Sequence, residues 1–335
     1  MLTIATIKDV ARIAGVSTTT VSHVLNKTRF VSEALLERVN HAIAELNYQP
    51  YGLARSLRRK LSGAIGIVIP DNANPFFAEV VRGIEDKCFE NGYSVFLCNS
   101  DGEPLKERNY LNLLIEKGVD GLVLVSTGDD REAMQLLENR EIPKVIVDRE
   151  ISSLHMDTVL VDNQEGGYNA AKFLTELGHR KIGCIAGPSN VTPSGQRIKG
   201  FKKALEDKGL ILDESMIATG DFKSQGGYEG FKKLVHGNVV PTAIFVCNDM
   251  MAIGALNAAH ELGMNVPKQL SLVGFDDIAL ASLIIPSLTT IAQPTYELGE
   301  AGAKLLLKRI KDKNRPESRI VLKTQLIRRD TCGPA

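Results

Sequence analysis

From Ser62 onward, short apolar runs alternate with amphipathic helical stretches. No other feature of this 335-residue chain constrains its fold as much. The runs occupy residues 64–70, 93–100, 121–127, 144–149, 158–162, 181–187, 243–249, 270–276 and 288–294. They are rich in β-branched residues and do not alternate apolar with polar positions, as in AIGIVIP and GLVLVST. A strand with one face in water must alternate, so these strands are expected to be covered on both faces. Helices between them imply βα units, parallel sheets and right-handed crossovers. There are too many runs for one compact half, and the series restarts near residue 163 at GGYNAAKFLTELGH. The expected core is therefore two doubly wound parallel-sheet lobes rather than one large sheet.

The first sixty residues read differently. Ile7, Val10, Ala11 and Ala14 recur at helical spacing, Gly15 breaks the helix, and Ser17 is placed to cap a second one. That helix carries Val21, Val24 and Leu25 on one face and Thr18, Thr19, Thr20, Ser22 and His23 on the other. A third helix is expected from about Ser32 to Leu46, with Val39, Ile43 and Leu46 on its apolar face. Two short helices around a glycine turn, backed by a third, make an all-α helix-turn-helix. Short hydroxyl side chains suit base edges and phosphates in the major groove. Charge agrees: residues 1–60 hold nine Lys or Arg against four Asp or Glu, a net of +5, while the whole chain is neutral. A basic head on a mildly acidic body attracts phosphate locally.

The stretch VSTTTVSHVLNKTRFV resembles the DNA-binding head of the LacI/GalR family of bacterial repressors, closest to its purine and ribose repressor branch, and the resemblance covers essentially the full chain. It implies a head at 1–49, a hinge helix or linker at 50–62, and a periplasmic-binding-protein-like effector and dimerisation core at 63–335. The lobe crossings it implies divide that core into an N-lobe of about 63–162 and 293–322 and a C-lobe of about 163–292 and 323–335. On the DNA side it points to Ser17, Thr18, Thr19, Ser22, His23, Asn26 and Arg29. The hinge pattern matches at Ala54, Arg55, Ser56 and Leu57. By the resemblance, Leu57 is an apolar wedge in the minor groove and Arg58 a basic contact beside it. Gly52 and its short length make this hinge too weak to persist alone in water.

In open α/β sheets, ligands sit outside the carboxyl ends of the strands. The residues following the runs share a theme. Asn74, Asp148, Arg149, Arg197, Asn248, Asp276 and Gln293 offer directed donors and acceptors, and Phe76, Phe77 and Phe222 offer flat apolar faces. A sugar ring needs both kinds of contact. The same ten positions, in the same order, are similar to the sugar-contact set of the periplasmic ribose-binding protein. Some have structural alternatives: Asp276 as a helix cap, Asn248-Asp249 as a helix-start turn, Asp148–Arg149 as a surface pair. His179 is expected near helix-end carbonyls.

Several classes find no support. Nucleotide loops, a nucleophile elbow and metal-ligand spacings do not occur, so no enzyme, metal site or cofactor is expected. Cys98, Cys184 and Cys247 lie in apolar runs and read as buried free thiols. The start of the chain lacks an apolar leader and no run reaches membrane length, so a cytoplasmic location without membrane contact is expected, nucleoid-associated when on DNA. The expected function is a sugar-responsive repressor, a homodimer on palindromic operator double-stranded DNA, with ribose as the inducer that releases it. The alternatives are a purine-responsive repressor and a catabolite-control regulator that binds a phosphoprotein.

Overall fold

The computed structural model describes residues 5–26, 29–48, 61–125, 131–150, 156–189 and 191–335. The expected hinge helix, with Leu57 and Arg58, lies outside the described residues, as does the side chain of Asn26. The chain divides into two units, residues 1–62 and 63–335.

In the first unit, α1 (Ile7–Ala14), α2 (Thr18–Asn26) and α3 (Glu33–Glu45) pack around Val10, Ala11, Ala14, Val21, Val24, Val39 and Ala42. A capping box starts α1: the Thr6 side chain accepts from the Asp9 N–H, and the Asp9 carboxylate accepts from the Thr6 N–H at 2.9 Å. Gly15 ends α1 at φ 62, a left-handed conformation that a side chain would strain. Its N–H turns back to the carbonyls of Ala11 and Arg12. Arg38 of α3 donates to the carbonyls of Ala14 and Gly15 at 2.6 and 3.3 Å, which pins the turn from the third helix. Ser17 caps α2, its Oγ accepting from the Thr20 N–H at 3.1 Å.

The second unit holds two six-stranded sheets. The first is built from β1 (Ala64–Ile69), β2 (Ser94–Asn99), β3 (Gly121–Leu124), β4 (Lys144–Val147), β5 (Asp157–Val161) and β11 (Arg319–Leu322). Its order is β11-β5-β4-β3-β1-β2, with every pair parallel. The second contains β6 (Ile182–Ala186), β7 (Ile217–Thr219), β8 (Ala243–Val246), β9 (Ser271–Asp276), β10 (Thr289–Ala292) and β12 (Gln325–Ile327). Its order is β12-β10-β9-β8-β6-β7, parallel except for β12 against β10. The covering helices are α4 (Pro75–Glu90), α5 (Pro104–Glu116), α6 (Arg131–Glu138), α7 (Asn163–Glu176), α8 (Thr192–Glu206), α9 (Ser224–Val235), α10 (Asp249–Glu261), α11 (Ala279–Leu283) and α12 (Thr295–Lys311).

Burial explains the unbroken apolar runs. Ile65, Ile67 and Ile69 of β1 pack with Val80, Ile84, Leu298 and Leu306 on one face of the first sheet. Val68 of the same strand packs with Leu111, Leu114 and Leu137 on the other face. The second sheet is covered in the same manner around Phe201, Phe231, Phe245 and Phe275. The edge strands β11 and β12 were not among the sequence runs. They are short and only half covered, so they carry no continuous apolar signal. His179 lies just past α7 and is buried, with Nδ1 2.9 Å from Thr242 Oγ1 and Nε2 3.1 Å from the Gly333 carbonyl. Burial lowers its pKa below the ordinary histidine value.

Helices α7 and α8 approach closely enough for backbone to meet backbone. A Cβ on Gly200 would stand 1.8 Å from the Gln164 carbonyl oxygen, and one on Gly167 would stand 2.0 Å from that of Arg197. Both clashes are with main chain, which cannot step aside. This contact fixes where α8 carries Arg197. Gly200→Ala is expected to destabilise the core by about 1–3 kcal/mol. Gly195→Ala, on the same helix with nothing within 4 Å, should be neutral or slightly stabilising. Urea unfolding of the two variants checks this; equal midpoints would contradict the account.

Candidate effector cleft and nucleic-acid face

On the head, Ser17, Thr18, Thr19 and Arg29 are exposed and His23 is half-buried. Ser22 departs from expectation: it is buried, not displayed. At 100° per residue Ser22 falls only one step from Val21, on the flank of the apolar arc, whereas Thr19 and His23 lie opposite it. The outward face of α2 is therefore narrower than the sequence reading made it. Ser17 also spends its hydroxyl on the helix cap, and that oxygen lies 2.9 Å from Thr20 Oγ1.

In the second unit the strand order reverses at β1 in one sheet and at β6 in the other, the positions where α/β sheets open a crevice. A cavity of about 250 Å³ lies at the carboxyl ends of these strands. It brings together Asn74, Phe76 and Phe77 after β1, Asp148 and Arg149 after β4, Arg197 on α8, Phe222 after β7, Asn248 after β8 and Asp276 at the end of β9. Pro70, Asp71, Asp101, Gly102, Pro188, Val191, Pro193, Asp221 and Lys223 complete the wall. The sequence reading did not place these in the site set, although the same strand-end rule reaches most of them.

Gln293 is the exception among the ten. It stands behind the wall and donates from Nε2 to Asp276 Oδ1 at 2.6 Å. Its role is to hold a wall residue rather than to line the cavity. Two asparagines are also engaged internally. Asn74 caps α4 by accepting from the Phe76 N–H at 3.0 Å. Asn248 caps α10 through the Met251 N–H at 2.9 Å and donates to the Phe222 carbonyl at 2.9 Å.

Arg197 is the most heavily tied side chain. Its Nε donates to Asn163 Oδ1 at 2.8 Å and its NH1 to the Cys247 carbonyl at 2.5 Å. Its guanidinium lies 3.7 Å from the centre of the Phe275 ring and 3.6 Å from Asp276 Oδ1. Both ions of that pair are about 5% exposed, so each depends on the other and on fixed hydrogen bonds. Asp148 Oδ1 is buried with no hydrogen-bond partner. An acceptor left open in the wall suits a ligand that brings an N–H or O–H. Phe76 and Phe77 meet edge to face at 5.0 Å. Backbone strain gathers here too: Asp148, Phe222 and Asp276 hold φ of 72, 64 and 119.

Burial is the main force on the carboxylates. It pushes Asp276 up to about 7, with Arg197 and the Gln293 bond acting in the opposite direction. Burial raises Asp148 and Asp249 as well. A folded pKa above the unfolded one means that the folded state holds the extra proton. Asp276 thus contributes stability fully below pH 4, and that contribution is lost as pH rises through about 7. Core stability should fall between pH 5 and pH 8, with a shallower fall in Asp276→Asn. Denaturant midpoints at the two pH values test this, and an unchanged slope in the variant would contradict it.

Comparisons with known proteins agree with this geometry. Residues 6–51 match the model for bacterial regulatory proteins of the lacI family, and residues 171–332 match a periplasmic binding protein-like domain. The transcriptional repressor PurR of Aliivibrio salmonicida is 44% identical over 92% of this chain and 93% of its own. The lac repressor dimer bound to operator and an anti-inducer is 30% identical, with a TM-score of 0.87 over 98% of both chains. A LacI family regulator from Enterococcus faecium with bound ribose is 32% identical, with a TM-score of 0.75 over 81% of this chain and 99% of its own.

The expectation of ribose as effector is corrected here. The more similar, nearly full-length relatives are PurR repressors, and they favour the purine alternative. The sugar reading failed for a physical reason. Asn74 and Asn248 cap helices and Gln293 props Asp276, so part of the ordered set serves the fold whatever ligand is bound. Among the described residues no helix is long and apolar enough to cross a membrane. Head, two-lobed core and relatives converge: the chain belongs to the LacI family of bacterial regulatory proteins, which are DNA-binding transcriptional repressors and not enzymes.

Proposed function

We propose that this protein is a purine-responsive repressor that acts in the cytoplasm on a palindromic operator as a homodimer. The observation that carries the reading is the 44% identity to a PurR repressor across nearly the whole length of both chains. The cleft is chemically compatible. Phe76 and Phe222 offer faces for a planar ring, and the carboxylates of Asp148 and Asp276 accept from ring or exocyclic N–H groups. The positions Ser17, Thr18, Thr19, His23, Asn26 and Arg29 are our candidates for DNA contact, with Leu57 and Arg58 at the hinge.

One head reads only a half-site, and a two-fold dimer doubles the sequence read. Two apolar surfaces of the core support dimerisation. Phe96 and Leu97 are about half exposed on the edge strand β2, and Leu283, the last residue of α11, and Ile285 just past it are 72% and 98% exposed. Large exposed apolar groups of this kind mark interaction surfaces.

Calorimetric titration with hypoxanthine, guanine, adenine, ribose and other pentoses tests the effector. Hypoxanthine or guanine should bind, and Asp276→Ala should weaken that binding about tenfold or more, since it leaves polar groups unpaired. Binding of ribose alone would overturn the purine reading.

A further inference from the structure

Asp249 is fully buried and does not line the cleft. It follows the cap residue Asn248 and opens α10. A carboxylate taken wholly out of water persists only where its oxygens are used. Here both are. Oδ2 accepts from the Ile278 N–H at 3.0 Å, and Oδ1 accepts from Thr290 Oγ1 at 2.6 Å.

These two partners bracket the segment that presents Asp276. Ile278 is two residues past Asp276, and Thr290 lies on β10, the strand beside β9. Between them, Asp276 and Asp277 both hold positive φ, 119 and 58, which neither residue adopts without cost. The space for the carboxylate comes from Gly274, opposite Thr290 in the sheet: a Cβ there would sit 2.2 Å from Asp249 Oδ1. On the outer side, Arg329 pairs with Asp277 at 2.7 Å.

We propose that Asp249 is a positioning residue of the effector site: its carboxylate clamps the turn after β9 and so holds Asp276 in the conformation that faces the ligand. The clamp fixes which way the Asp276 oxygens point, and thereby which ligand donors the cleft accepts. The inference rests on the purine reading only for the choice of ligand; the clamp itself concerns the backbone of residues 276–278.

Two variants test it in the full-length protein. Asp249→Ala removes both acceptors, and Thr290→Val removes one donor without changing volume. Amide hydrogen exchange reads the clamp without any ligand. Exchange at Ile278 should speed up about tenfold or more in Asp249→Ala, and less in Thr290→Val, with the amides of β8 unchanged. Affinity for hypoxanthine should fall about tenfold in Asp249→Ala, while operator affinity without effector stays within about twofold. Unchanged Ile278 exchange would overturn the clamp. Faster exchange with full hypoxanthine affinity would overturn its role at the site. If wild-type protein fails to bind hypoxanthine, the purine reading falls, and the exchange result still decides the clamp.

Discussion

The pairing of Arg197 with Asp276 is the interaction on which the cleft depends. Both groups are almost wholly removed from water, and neither is tolerable alone. The surrounding structure is arranged to meet that demand. Asn163 and the Cys247 carbonyl each accept one guanidinium N–H, Phe275 lies against its plane, and Gln293 donates to the carboxylate. The close contact of α7 with α8 at Gly167 and Gly200 sets the height at which Arg197 enters. Remote backbone packing therefore determines where a charged group stands in the cleft wall.

Much of this was legible in the sequence because the physics is local. Unbroken β-branched runs reported strands covered twice, and the rule that ligands sit at strand carboxyl ends led to Asp148, Arg149, Phe222 and Asp276. Gly15 and Ser17 announced the turn of the head. What stayed hidden is non-local or lacks a period. β11 and β12 are half-covered edge strands with no apolar run. Ser22 looked outward until the width of the apolar arc was known. Asp249 read as part of a helix-start turn because its partners Ile278 and Thr290 are 29 and 41 residues away.

The ribose expectation shows where residue patterns stop carrying chemical identity. A set of polar and aromatic positions in fixed order marks a ligand site of this fold. It does not by itself name the ligand, because several of the set are committed to caps and props. In the proposed function, identity resides in the direction of the few wall groups not committed to the fold, chiefly the open oxygen of Asp148 and the face of Asp276. The strained backbone at these residues is consistent with such a use: it sets side-chain direction at the cost of local stability.

A ligand shifts a repressor only by binding one of its conformations better than another. A purine corepressor must therefore favour the state that holds DNA. Fluorescence anisotropy of a palindromic operator duplex, at fixed salt, with and without saturating hypoxanthine, tests this directly. The account predicts tighter operator binding with hypoxanthine and no such gain in Asp276→Ala. Weaker binding with hypoxanthine, or no change, would contradict it.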